Sequence, residues 1–478
     1  MTRFVAAAVF VVVVMVAARA ADAQSPPTDI PIEQVVRTAL FADHDPARRE
    51  ALKFLVERGK DDVVPALIQA LRFVADGEGL ILKSLQALAK AEIGRDWHDW
   101  MLWQEEHTEV MVFEGFDAFK ADVMAWLDPN FRKFLFRGVK HEIRLEEIAW
   151  GGVMKDGIPA LTNPKHIGAA EATYLVEDEL VFGVEINGDA RAYPFRMLDW
   201  HEMFNDVVGG VPVSLAYCTL CGSGILFDTM IEGREQPFVF GSSGFLFRSN
   251  KLMYDQQTLS LWNQFTGRPV VGELTGSGIE LKVRPVMITS WQKWHARHPN
   301  TKVLSLFTGF TRDYRPGRPY GKYFSSPDLM FPALVPDKRL KPKDHVFVLR
   351  DGANEKAWAV TAFAGGKVIN DAVGALNVVL VGDAATRTVR AYSREGRRFD
   401  AVVGDAESLV SDNQSWAITE DALVNQDGVR LSRLPGHIAY WFAWSGYKRT
   451  GLRALNKRES RGCPFAYSVS ASERGSIS

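Results

Sequence analysis

The chain has 478 residues, of which 47% are hydrophobic, 24% charged and 11% aromatic, and its formal net charge is −2. That balance excludes general disorder, collagen-like repeats and a coiled-coil rod, and it offers no basic field to attract nucleic acid. Three cysteines are too few for a disulfide-built scaffold, whereas 29 Phe, 13 Trp, 39 Gly and 22 Pro suit aromatic-rich strands joined by tight turns.

In chain order, residues 1–23 read as a secretory signal. Arg3 gives the positive start, Phe4 to Ala18 form an apolar run too short for a membrane span, and Ala21-Asp22-Ala23 is a small-x-small cleavage site before Gln24. No later stretch is apolar enough to cross a bilayer. The mature protein is therefore expected to be periplasmic or secreted, with no stable membrane insertion after cleavage, and its cysteines are read for an oxidising compartment.

Residues 30–138 have a helical period. Leu52, Leu55 and Val56 form one apolar stripe, Val64, Leu67, Ile68 and Leu71 a second, and Leu82, Leu85 and Leu88 a third. Asp61 or Asp62 is placed to cap the second helix, and Pro65 falls where a first turn tolerates a missing N–H. Such helix pairs resemble HEAT-type α-solenoid repeats, a module expected to receive a protein partner. The aromatic segment from Asp96 to Trp103 reads as a buried seam against the next domain, with a docking surface as the alternative. His98 and His107 are assigned no chemistry.

From residue 139 the pattern turns to strands, so the fold class is α+β: a small helical module followed by a β-rich body of two duplicated lobes. The lobes are read over residues 139–335 and 336–455, and a polar, disordered tail carrying Cys463 over 456–478. Val181 to Ile186, Asn187-Gly188 and Ala190 to Tyr193 predict a hairpin with a type I′ turn. The segment from Val181 resembles the segment from Val346 without a gap, at an offset of 165 that puts Asn205-Asp206 on Asn370-Asp371. The Asn-Asp pair (read as a turn), the glycines and the aromatic after Ala recur in both copies. At the same offset His201 falls on Gly366, Cys218 on Asp383 and Cys221 on Thr386. A scaffold requirement is expected twice and a site once, which singles out those three residues.

Several ordered motifs carry a wider likeness: Asp156-Gly-Ile-Pro-Ala-Leu, Ala192-Tyr-Pro, Trp200-His-Glu, Val208-Gly-Gly-Val-Pro-Val, Tyr217-Cys-Thr-Leu-Cys-Gly222, Tyr254 to Trp262, and His437-Ile-Ala-Tyr-Trp-Phe-Ala-Trp444. Over roughly Lys140 to Leu452 the chain resembles a large family of mostly exported prokaryotic proteins known only as a domain of unknown function. The resemblance implies export and a compact domain; it supplies no reaction.

Cys218-Thr-Leu-Cys221 brings two sulfurs together at a turn, which suits a metal site, a disulfide or a catalytic dithiol. Gly222 stands where c-type haem attachment needs His, and no motif points to a nucleotide. With His201, the sulfurs make a copper or zinc ligand set, copper first, whose fourth position could be His437, Met253, Glu202 or water. Glu202 can alternatively orient the imidazole, and Trp441 and Trp444 would wall the metal from water. Tyr254 and Asp255 alternate with Thr258 and Ser260 as a polar strand face or cleft rim, near Arg248 and Asn250 as an anion-binding option. The thioredoxin-type dithiol is disfavoured because Gly222-Ser-Gly224 leads into a strand, not a helix. The expected function is a soft-metal site on Cys218, Cys221 and His201, redox-active when loaded. The alternatives are a ligand- or partner-binding scaffold stapled by a Cys218–Cys221 disulfide, and a thiol-disulfide oxidoreductase.

Overall fold

The apolar stripes of the first module do form helices: Ile32–Phe41, Asp45–Arg58, Val64–Phe73, Glu78–Ala89, Trp97–Glu106 and Phe116–Leu127. The structure, a computed structural model, describes residues 30–74 and 77–447. The signal segment 1–23, the tail 456–478 with Cys463, and the last residues read as lobe 2 lie outside that range. Leu52, Leu55, Leu67, Ile68 and Leu85 are buried, and Pro65 occupies a first helical turn as expected. Asp62 does not cap that helix; its carboxylate receives both Arg58 guanidinium nitrogens at 2.6 Å. The HEAT likeness holds only loosely. The last helix returns to the first, where Phe41 meets Phe119 and Trp126 and Arg37 pairs with Asp122, closing a bundle rather than continuing a stack.

The seam reading of the aromatic segment is right, since Trp97 and Trp100 are buried. Gln69 and Gln104 both donate to the Glu146 carbonyl, and buried Lys120 donates to the Ile148 carbonyl. The module's core runs on into Phe245, Phe247 and Leu252 of the β-rich body.

The predicted hairpin is present as Leu180–Ile186 and Asp189–Pro194, with Asn187 and Gly188 at φ 51° and 80°, the values a type I′ turn demands. The duplication extends well past the stretch that sequence comparison detects. Leu180–Ile186 matches His345–Asp351, Val211–Cys218 matches Leu376–Asp383, and Ser223–Asp228 matches Thr388–Ser393, all at offset 165. The offset then drops to 150 without breaking the correspondence. Met287–Ser290 pairs with the first strand of lobe 1 in the register by which His437–Tyr440 pairs with the first strand of lobe 2. His437 thus has a counterpart in lobe 1, Met287. Trp291 and Trp294 likewise correspond to Trp441 and Trp444, each pair opening a helix.

The Asn-Asp pair lies inside strands, Met203–Val208 and Lys367–Val373, rather than at a turn. Its repetition has a physical reason in both lobes. Asn205 exchanges two hydrogen bonds with the backbone of Phe240, and Asn370 does the same with Phe399. Asp206 accepts from Tyr193 and Arg191; Asp371 accepts from Trp358 and Lys356. The lobes pack reciprocally: His437–Tyr440 lies on Ser223–Asp228, and Met287–Ser290 lies on Thr388–Ser393. This exchange is what an approximate two-fold relation between duplicated halves produces.

Candidate functional site

The C-x-x-C segment is built by one sharp turn. Cys218 ends its strand, Thr219–Cys221 make a single 3-10 turn, and Gly222 takes φ 57° before the next strand departs. It is a turn running into a strand, as its glycines suggest, and not a helix start. The two sulfurs are free, buried and 2.7 Å apart. Cys221 donates to the Ser249 carbonyl at 3.0 Å and accepts from Asn250 Nδ2 at 3.5 Å. Burial, with the Cys218 contact, pushes the Cys221 thiol well above the ordinary range, so its thiolate is disfavoured.

His201 does not converge with the sulfurs. Its Nδ1 meets the Pro159 carbonyl at 2.8 Å and its Nε2 meets the Tyr314 hydroxyl at 2.6 Å. A carbonyl can only accept, so Nδ1 carries the proton and Nε2 accepts from Tyr314, whose oxygen lies 2.6 Å from Thr308 Oγ1. Burial lowers the imidazole to about 4, which keeps it neutral. Both nitrogens are thereby committed, Nδ1 to the segment before the first hairpin of lobe 1 and Nε2 to the connector, residues 305–344, that leads from Lys302–Leu304 to His345–Asp351. Among the described residues, no group of three or more His, Cys, Asp and Glu is placed to hold a metal ion.

The remaining expected residues are also accounted for by packing. Glu202 does not orient the imidazole; it receives the Thr219 hydroxyl at 2.9 Å and Lys251 Nζ at 2.6 Å beneath the cysteine turn. His437 faces Phe265 and Trp444 with ring centroids at 5.8 and 6.0 Å, and its Nε2 is buried without a partner. Trp444 is buried in that packing, while Trp441 donates to the Asp337 carbonyl. Met253 shares an apolar cluster with both cysteines. Tyr254 bonds Asp156 and Lys155; Asp255 closes a turn by accepting from Thr258 and Trp262. Arg248 is taken by Glu147 and Asn250 by Gln264, so neither is available to an anion.

What the fold does assemble is a cleft of about 290 Å³ where the two lobes meet. Tyr217 and Gly222, which flank the cysteine turn, line it together with Asp199, His345, Arg387 and Tyr440. The wall is made of corresponding positions that differ in chemistry. Leu180 answers His345 and Gly222 answers Arg387 at offset 165, and Ser290 answers Tyr440 at offset 150. Burial drives the Asp199 carboxyl well above the ordinary carboxylate range, against the opposing hydrogen bond from Tyr217 and the Arg387 charge, and so favours its acid form. Its Oδ1 is buried and unpartnered. Burial also lowers His345, to about 3, with the Arg387 charge adding to the effect. Over the cleft, the connector supplies Pro316, Gly317 and Phe324, and neighbouring Tyr323 donates to the Leu220 carbonyl at 2.7 Å.

Sequence reasoning missed Asp199, Tyr217, His345, Arg387 and Tyr440 as a site. The self-comparison held the signal: His345 and Arg387 break the repeat as sharply as the cysteines do. No curated protein and no solved structure matches the chain. Residues 155–450 match the family described as "Protein of unknown function (DUF3179)", and the chain belongs to that family.

Proposed function

We propose that this is an exported ligand-binding scaffold, whose ligand occupies the inter-lobe cleft and whose Cys218–Cys221 pair closes into a disulfide that fixes one cleft wall. The observation that carries the reading is adjacency: cleft-lining Tyr217 precedes Cys218 and cleft-lining Gly222 follows Cys221. The second lobe holds the same turn without sulfur, through the Asp383 carboxylate accepting from Ala385 N at 3.0 Å and a Thr386–Thr388 hydroxyl contact at 2.8 Å. The cysteines therefore stand where the scaffold needs a turn closed. Their burial, and the raised Cys221 thiol, suit neither an attacking thiolate nor a metal-binding one. On closure each cysteine gives up its S–H hydrogen. The two protons and two electrons pass to a disulfide-bearing oxidant of the export compartment, which is reduced to its dithiol.

Thiol counting in denaturant tests the staple. Of the chain's three cysteines, only Cys463 titrates before reduction and all three after it. Copper or zinc at one per chain, lost on Cys218→Ser, would replace the staple with a metal site. The cleft is tested by thermal-shift screening of a small-molecule library against the wild type and Val176→Trp, which fills the mouth from a residue 54% exposed. Hits that stabilise both proteins equally would remove the cleft as the binding site.

A further inference from the structure

Among the described residues lining the cleft only one ion pair is closed, and Arg387 and rim Asp178 stand outside it. Arg196 is paired with Glu179, both nearly buried. Arg387 closes no ion pair with a carboxylate within 4.0 Å among the described residues, though its charge acts on Asp199, His345, Tyr217 and Tyr440 at once. Its backbone is left-handed at φ 54°, a conformation that costs a non-glycine residue about 1 kcal/mol and that its counterpart Gly222 adopts freely. An arginine is thus kept at a position that the duplicated scaffold fills with glycine. Opposite it, Asp199 presents a buried oxygen with no partner.

Resting on the ligand-binding reading above, we propose that the cleft binds a small organic monocarboxylate, its carboxylate paired with Arg387 and hydrogen-bonded by Asp199 and the tyrosine hydroxyls. A single unpaired guanidinium matches a single negative charge and can grip it with two parallel N–H bonds. Burial favours the acid form of Asp199, which donates to a carboxylate where the ionised form would repel it. A phosphate dianion would leave one charge uncompensated beside Asp178 and Glu179 at the rim. The apolar lining from Leu180, Phe195, Ile288 and Phe324 accommodates a hydrocarbon tail.

The test uses the full chain and straight-chain carboxylates from acetate to decanoate, with benzoate, each against its neutral amide, by isothermal titration. At least one carboxylate binds, and its amide binds roughly tenfold to a hundredfold more weakly, as expected for a charge-assisted hydrogen bond. Arg387→Gly loses the same factor while unfolding at an equal or higher temperature, because glycine suits the left-handed backbone. That separates lost binding from lost folding. Amides that bind as well as carboxylates, blocked by Val176→Trp, would overturn the monocarboxylate while leaving the cleft as a ligand site. Absence of binding by every carboxylate, or binding unchanged in Arg387→Gly, would also overturn it.

Discussion

At the residue scale, the histidines show how a metal-like sequence pattern dissolves into packing. His201 spends both nitrogens on partners 42 and 113 residues away in sequence, which no local spacing can reveal. His437 spends Nε2 on nothing, and a buried unsatisfied nitrogen costs about 1–3 kcal/mol. Methionine stands at its register position in lobe 1, so His437→Met should fit and raise stability by about 1 kcal/mol at neutral pH. Burial lowers the His437 imidazole from its ordinary 6.5 to about 3, with the Arg350 charge adding to the effect. As pH falls through 6.5 the unfolded chain gains a proton that the native chain refuses. The native state is therefore disfavoured progressively between those two values. The advantage of His437→Met should widen on acidification, by at most about 1.4 kcal/mol per pH unit. Urea unfolding of both proteins at pH about 7 and about 5 measures it; an advantage independent of pH would mean that the native imidazole takes up the proton.

At the scale of elements, the legible parts were those governed by local chemistry. Apolar stripes marked the helices, Asn187-Gly188 marked the hairpin, and the gapless offset marked the duplication. The Asn-Asp pair was found but misplaced, because two polar residues together look like a turn until their partners across the sheet are known. The correspondence of Met287–Ser290 with His437–Tyr440 was hidden by the change of offset, and the cleft by its assembly from single residues on distant strands. The two copies of the Asp node should differ in strength. Around Asp206, the Asp and Arg191 side chains are 7% and 11% exposed; around Asp371, the Asp and Lys356 side chains are 28% and 40% exposed. Asp206→Asn leaves the buried Arg191 guanidinium with Asp189 as its remaining counter-charge and weakens the Tyr193 bond, and should cost about 3 kcal/mol. Asp371→Asn loosens a wetter pair and should cost about 1 kcal/mol or less. Denaturant midpoints compare them directly, and equal costs would show that burial does not set the strength of this node.

At the scale of the whole molecule, one apolar core joins the lobes: Phe182, Tyr217 and Leu226 pack in the same cluster as Phe347, Leu380 and Ala391. The lobes are bound further by a buried charge cluster on Glu420. It accepts from Arg390 and Arg433 of lobe 2, and Arg297 reaches it at 3.2 Å from the helix that closes lobe 1. Burial alone would raise the Glu420 carboxyl, but the Arg390 and Arg433 charges overrule it and hold it well below the ordinary range. Glu420→Gln strands these arginines in a site where the carboxylate is only 4% exposed, and should cost about 3–5 kcal/mol. A lowered acid stabilises above its unfolded pKa of 4.5, so the wild type should converge on the variant as pH falls from there. The shared core is untouched by the substitution, so calorimetry should still show a single transition, displaced to lower temperature. Two separate transitions would mean that the arginine cluster, rather than the common apolar core, makes the halves fold as one.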